Sequence, residues 1–262
     1  PLLMGTDLEE MRCIFAKRLH FFLKEVQPAL RSDMVAALAV EGKLLHQPAS
    51  TLDGRWALLP FSLACDLYPG VDAGVASTVA LAVECVICST DLLDDAMDED
   101  VTTFVQQVGE ARALNAALAL LSLAQRMLLS LNGSALPDVR LISMLEALQN
   151  ALLLATAGQQ QDLLAEGRPA CELSREECLA IAAAKAGTLL SLACQLGALC
   201  AGSVQAQDLS GQLRSTWAGR QAASAGPLAQ ANALAPGLAP AQASAATVQA
   251  EPPAADRPER VA

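Results

Sequence analysis

The 262-residue chain predicts an all-α fold: a single helical bundle over residues 8–202, followed by a tail. Three observations lead there. Hydrophobic residues make up 53% of the chain and aromatics only 3%, so the core has to be built from Leu, Ala and Val, which suits packed helices better than β-sandwiches. Apolar positions recur at spacings of three and four. The segments between these stretches are short and rich in turn residues, the pattern of a bundle.

From residue 8 to 30 the positions Ile14, Phe15, Leu19, Phe22, Leu23 and Val26 repeat at helical spacing, and Pro28 is expected to close the segment. Asp53-Gly54 and Pro69-Gly70 bracket a second helix with Leu58, Leu59, Leu63 and Leu67. A third helix is expected over 75–100, a fourth over 109–131, ending at Asn132-Gly133, and a fifth over 137–164. After the turn Gly167-Arg168-Pro169, Ser174 and Glu177 form a capping box that opens a sixth helix reaching about residue 201. The 60 residues from Ser203 to Ala262 hold 18 Ala, 7 Gln and 6 Pro and no Lys, so this stretch is expected to be a disordered tail.

Lys plus Arg number 17 against 28 Asp plus Glu, a net charge of -11, which removes the electrostatic attraction on which nucleic-acid binding depends. A mean hydropathy of +0.35 raises the question of a membrane. Charged or polar residues interrupt each apolar run, however: Glu84 and Asp91 in 75–93, Lys185 and Gln195 in the last, with Arg112 and Arg126 bracketing another. A bilayer-spanning helix needs about 20 nearly unbroken apolar residues, so buried core helices are expected, with peripheral membrane contact left open for 188–204. The eight cysteines lie mostly in apolar helical stretches and read as buried free thiols of a cytoplasmic protein. Cys85 and Cys88 have no second pair to complete a zinc site and read as core. No basic segment precedes an apolar one near Pro1, so secretion is not expected.

The acids are concentrated at the end of the third helix, Asp91-Leu92-Leu93-Asp94-Asp95-Ala96-Met97-Asp98-Glu99-Asp100. Positions 91, 94, 95 and 98 are three or four apart, so four carboxylates project from one helical face. They continue a helix whose Val79, Val83, Val86 and Ile87 must be buried. Anions gathered against an apolar wall require compensating cations, and oxygen donors without a nearby His call for a hard ion, Mg²⁺ or Mn²⁺. A solvated acidic helix end is the alternative. Three further elements favour the metal: Gln159 and Asp162 three apart after a long apolar run, a lone Lys185 followed by Thr188 in an Ala-rich helix, and a Gly54-Arg55 turn that opens the second helix before the Asp cluster.

Taken with Glu84 ten residues before Asp94, Gly109-Glu110-Ala111, Gly158-Gln159-Gln160-Gln161-Asp162-Leu163 and Lys185-Ala186-Gly187-Thr188, the Asp cluster resembles the polyprenyl (isoprenyl) diphosphate synthase family over about 54–202. That family is the trans-prenyltransferase branch of the class I isoprenoid synthases. The resemblance implies an isoprenoid synthase bundle around a central cavity, a homodimer, and ionisation of an allylic prenyl diphosphate that isopentenyl diphosphate then attacks. It implies that Asp94 and Asp98, supported by Asp95, bind the metal, and that Lys185 acts with them. Arg55, Gln159, Asp162, Lys185 and Thr188 would contact the diphosphate, and Ser89 and Thr90, both small, would floor the pocket and let a long chain pass.

Departures from the family pattern are specific. Its Gly-Lys-x-x-Arg-Pro element is represented by Gly54-Arg55 with Pro60 off register, or less closely by Gly42-Lys43 with Pro48. Its Arg-Arg pair is replaced by Val101-Thr102-Thr103-Phe104, and no second Asp-rich motif follows Gly202, so the helical domain over 8–202 is expected to be C-terminally incomplete. Three readings follow: a prenyl diphosphate synthase or related prenyltransferase, a terpene-synthase-like cyclase acting on one diphosphate, and a non-catalytic or truncated subunit packed against an active partner.

Overall fold

A computed structural model describes residues 8–46, 56–68, 70–134 and 136–201, and among them every regular element is helical. The Ala/Gln/Pro-rich tail and the Gly54-Arg55 pair lie outside the described residues.

The first expected helix is two. α1 spans Leu8–Leu23 and α2 spans Pro28–Leu38. Pro28 opens α2 instead of closing α1, because the first turn needs no proline N–H and Pro already holds the helical φ. The Gln27 side chain caps this start by accepting from the Leu30 amide at 3.0 Å. α3 (Leu58–Leu67) follows, and then α4 (Ala73–Met97), whose Asp72 cap accepts from the Val75 amide at 2.8 Å. A short α5 (Thr103–Val108), not foreseen in the sequence, is capped by Thr102. α6 (Glu110–Leu129) and α7 (Asp138–Glu166) come next. The capping box is present as expected, the Ser174 hydroxyl accepting from the Glu177 amide and the Glu177 carboxylate from the Ser174 amide, and it opens α8 (Arg175–Ala182). α8 runs through a π-helical turn, Ala183–Gly187, into α9 (Thr188–Ala201).

α4 is the axis of the bundle. Every residue from Val75 to Ser89 is buried, packed by α1, α3, α6 and α9. Phe15 of α1 meets Phe61 of α3 edge to face, with ring centroids 5.3 Å apart. α9 crosses α3 closely at Gly197, where a Cβ would come within 2.8 Å of the Pro60 carbonyl oxygen. The Arg112 guanidinium of α6 reaches the buried Asp33 carboxylate of α2, its Nε at 2.9 Å, which ties these two helices together.

Glu84 is the polar centre of this core. Only 1% exposed, its carboxylate accepts from the Leu44 amide and the Ala57 amide, both at 2.9 Å. One side chain of α4 thereby holds both flanks of the segment that contains Gly54 and Arg55.

Cys65, Cys85, Cys88 and Cys200 are buried, whereas Cys13, Cys171 and Cys178 are exposed, against the expectation of a uniformly buried set. All eight are free thiols. Burial pushes the Cys88 thiol up to about 12, so it stays protonated and inert. Among the described residues three helices, Ala73–Met97, Asp138–Glu166 and Arg175–Ala201, are long and apolar enough to cross a membrane by length and composition. In the first, 83% of the apolar window is buried, and in the last only 22%, so the expectation of buried core helices holds for α4 and not for the bundle's edge.

Replacing Glu84 by Ala strands two buried N–H groups and is expected to cost about 3 kcal/mol. The check is a lower urea midpoint with an unchanged denaturant slope. An unchanged midpoint would mean that water satisfies the two amides.

Candidate functional site

The last turns of α4 face the second half of α7 across a cavity of about 260 Å³, with the π-helical turn closing the third side. Its walls differ in character. Leu93 of α4, Leu152, Ala155 and Leu163 of α7, and Leu189 of α9 form an apolar stretch, while Asp94, Gln159 and Lys185 also line the cavity and make it polar.

The polar groups are joined. Lys185 Nζ lies 2.7 Å from Asp94 Oδ1 and donates to Asp162 Oδ2 at 2.9 Å, so one ammonium bridges α4 and α7. Gln159 Nε2 donates to Asp98 Oδ1 at 3.3 Å. Gln159 Oε1 is buried and accepts nothing among the described residues. Asp98 sits just past the helix as its C-cap, its N–H on the Asp94 carbonyl at 2.9 Å, and Glu99 takes a φ of 56° to turn the chain away. Burial alone would lower the Lys185 pKa, but the hydrogen bonds and charges of Asp94 and Asp162 outweigh it and raise it, so the ammonium stays charged through neutral pH.

The structure brings Asp94, Asp98, Gln159, Asp162 and Lys185 together and places other expected residues elsewhere. Asp95 lies off the cavity lining; burial, then repulsion from Asp91, Asp100 and Asp94, raises its pKa. Thr90 lines the cavity, its hydroxyl satisfied by the Val86 and Ile87 carbonyls of its own helix at 3.1 and 3.0 Å. Ser89 does not: its hydroxyl donates to the Ala117 carbonyl at 2.7 Å and joins α4 to α6, because one residue turns a helical side chain by about 100°. Thr188 is buried behind the turn, with a long 3.5 Å contact to the Ala183 carbonyl. Arg55 lies outside the described residues.

One feature was not anticipated. Lys43, from the less closely matching Gly-Lys pair, is ion-paired with Asp91 at the cavity wall. Burial opposes the charge on Lys43, yet Asp91 more than compensates and its pKa is raised. The α7 wall was readable in outline, since Leu152, Ala155, Gln159 and Leu163 continue one face at spacings of three and four. Among the described residues no three His, Cys, Asp or Glu side chains are grouped closely enough to hold a metal ion by themselves.

The helical bundle that carries this cavity is shared with solved proteins. The polyprenyl synthetase from Streptomyces coelicolor A3(2) superimposes with a TM-score of 0.62 at 26% identity, over 78% of this chain and 60% of that one. The geranylgeranyl pyrophosphate synthetase of the archaeon Geoglobus acetivorans gives 0.60 at 22% identity, over 74% and 59%. The fold is therefore that of the isoprenoid synthases. The chain belongs to the polyprenyl synthetase family, whose sequence model matches residues 54–215. It is 36% identical over 139 residues to a geranylgeranyl diphosphate synthase of Mycobacterium tuberculosis, a match covering 50% of this chain and 37% of that relative.

Replacing Lys185 by Met leaves Asp94 and Asp162 without their shared cation and is expected to cost about 1 kcal/mol at neutral pH, as for a partly exposed pair. With a folded pKa raised above the ordinary 10.5, the ammonium's contribution is fully present below 10.5 and is lost only as pH rises through the folded value. Urea midpoints of variant and parent are therefore expected to differ by a constant amount between about pH 6 and pH 9. A difference that disappeared before pH 9 would show that Lys185 is not held charged by the pair.

Proposed function

We propose that this chain is a prenyltransferase that lays the hydrocarbon of an allylic prenyl diphosphate along the apolar cavity, holds the diphosphate at the Asp94, Asp98, Gln159 and Lys185 end, and ionises it for attack by isopentenyl diphosphate. The observation that carries this reading is the polarity of one cavity, apolar along Leu152, Ala155, Leu163 and Leu189 and charged at Asp94 and Lys185. Family membership supports it.

The donor set fits a hard divalent ion. Asp94 and Asp98 supply carboxylates one turn apart, and Gln159 Oε1 is a buried acceptor lacking a donor among the described residues. Mg²⁺ or Mn²⁺, which take oxygen ligands and complete their shell with water or phosphate, would be held by these residues. When bound, the ion neutralises the departing diphosphate. Lys185 serves as a point charge that exchanges its carboxylate partners for diphosphate oxygens, and its raised pKa disfavours giving up a proton. Asp162 and Gln159 orient Lys185 and Asp98. The apolar wall keeps water from the allylic cation. Exposed Leu118 and Leu129 on α6 and Leu153 on α7 are positions that the homodimer expected from the family would cover.

A second reading, cyclisation of a single prenyl diphosphate, is favoured by Val101-Thr102-Thr103-Phe104. In place of an arginine pair, Thr102 caps α5 and Phe104 is buried, so this segment offers an acceptor diphosphate no cation.

The test is incubation of the full chain with Mg²⁺ and an allylic diphosphate, with and without isopentenyl diphosphate. Elongated diphosphates are the expected product, and the Asp98→Asn variant is expected to lose at least about a hundredfold in rate. Hydrocarbons formed from the allylic substrate alone would select the cyclase. No turnover of either kind would overturn both readings.

A further inference from the structure

α7 packs against the Lys185 turn at a residue with no side chain. A Cβ built on Gly158 would lie 2.6 Å from the Lys185 amide nitrogen, 2.7 Å from the Ala184 carbonyl carbon and 2.9 Å from Ala184 Cβ. None of these atoms can rotate away, so any residue other than glycine must push the two backbones apart. The first atom met belongs to Lys185 itself. The next residue of α7 is Gln159, which donates to Asp98, and four residues on is Asp162, which accepts from Lys185.

The turn opposite is equally specific. Ala183–Gly187 is π-helical, which fits an extra residue into the turn and rotates the side chains that follow relative to a continuous α-helix. Its Ala183, Ala184, Ala186 and Gly187 are small, which permits the approach. The Lys185–Asp162 hydrogen bond of 2.9 Å leaves little tolerance, since one lengthened to about 3.6 Å is no longer a hydrogen bond, and the 2.7 Å ion pair with Asp94 weakens with the same displacement.

We infer that Gly158 is a positioning residue: the missing Cβ lets the π-helical turn settle on α7 so that the Lys185 ammonium stands between Asp94 and Asp162. The consequence for diphosphate affinity rests on the function proposed above; the placement of the ammonium does not.

The chain has four lysines, so selective ¹⁵N labelling of lysine side chains gives four ammonium signals, with that of Lys185 assigned by its loss in Lys185→Met. In the parent, the Lys185 signal is expected to be protected from solvent exchange. Gly158→Ala is expected to speed that exchange at least tenfold and to weaken binding of Mg²⁺ with inorganic diphosphate at least tenfold by calorimetry. Gly197→Ala is the control for a purely structural clash, its Cβ meeting the Pro60 carbonyl oxygen at 2.8 Å away from Lys185. It is expected to leave the Lys185 exchange rate and the affinity within twofold of the parent. If Gly158→Ala fails to fold, Ala184→Val wedges the same contact from the other side and is expected to act in the same direction.

An unchanged Lys185 signal in the folded Gly158→Ala or Ala184→Val chain would overturn the inference, as would an equal change in Gly197→Ala. A parent that binds no diphosphate while its Lys185 signal responds as stated would refute the proposed function and leave the positioning role standing.

Discussion

One ammonium holds two acidic helix segments together. α4 delivers Asp94 to the cavity and α7 delivers Asp162 beside it, and Lys185 of the π-helical turn lies within 3 Å of both. Without a cation between them the two carboxylates repel, an effect that solvent screens because both are about a third exposed. The cavity depends on this contact, because α4, α7 and the turn before α9 are its walls. In a chain of net charge -11 with four lysines, two of them, Lys43 and Lys185, are paired with the acids of one helix end.

The acids stand there because α4 is buried along the length that precedes them. A helix that is apolar on every side from Val75 to Ile87, apart from the satisfied Ser77, Thr78 and Glu84, can sit only at the centre of a bundle. Its continuation then has to emerge beside whatever the surrounding helices leave open. Glu84 adds a second constraint from within the core, since its two backbone donors fix the chain on both sides of residues 47–55 against the same helix that carries Asp94. The core and the carboxylate end are parts of one continuous element, so a shift in one is transmitted to the other.

Much of this was legible in the sequence where a side-chain pattern repeats. Spacings of three and four gave α3, α4, α6 and α7 and put Asp94 and Asp98 on one face, and the capping box marked the start of α8. Lys185 stood out as the single charge in an Ala-rich stretch and does meet the carboxylates. Misreadings came where one residue decides the outcome. Pro28 suits both a helix end and a first turn, Ser89 turns to α6 while its neighbour Thr90 faces the cavity, and a π-helical turn leaves no periodic trace before Thr188. No local pattern announces Lys43, because its pairing with Asp91 spans 48 positions.

The proposed function puts a metal ion and a diphosphate at the charged end of the cavity and a prenyl chain along its apolar walls. The most direct measurement is a crystal structure of the chain with Mn²⁺ and an allylic thiolodiphosphate, which resists ionisation, using the anomalous signal of manganese to locate the ion. Manganese is expected between Asp94 and Asp98, a diphosphate oxygen on Lys185, and the hydrocarbon against Leu152 and Leu163. Manganese bound away from both aspartates, or a ligand lying outside the cavity with the Lys185 bridge intact, would contradict it.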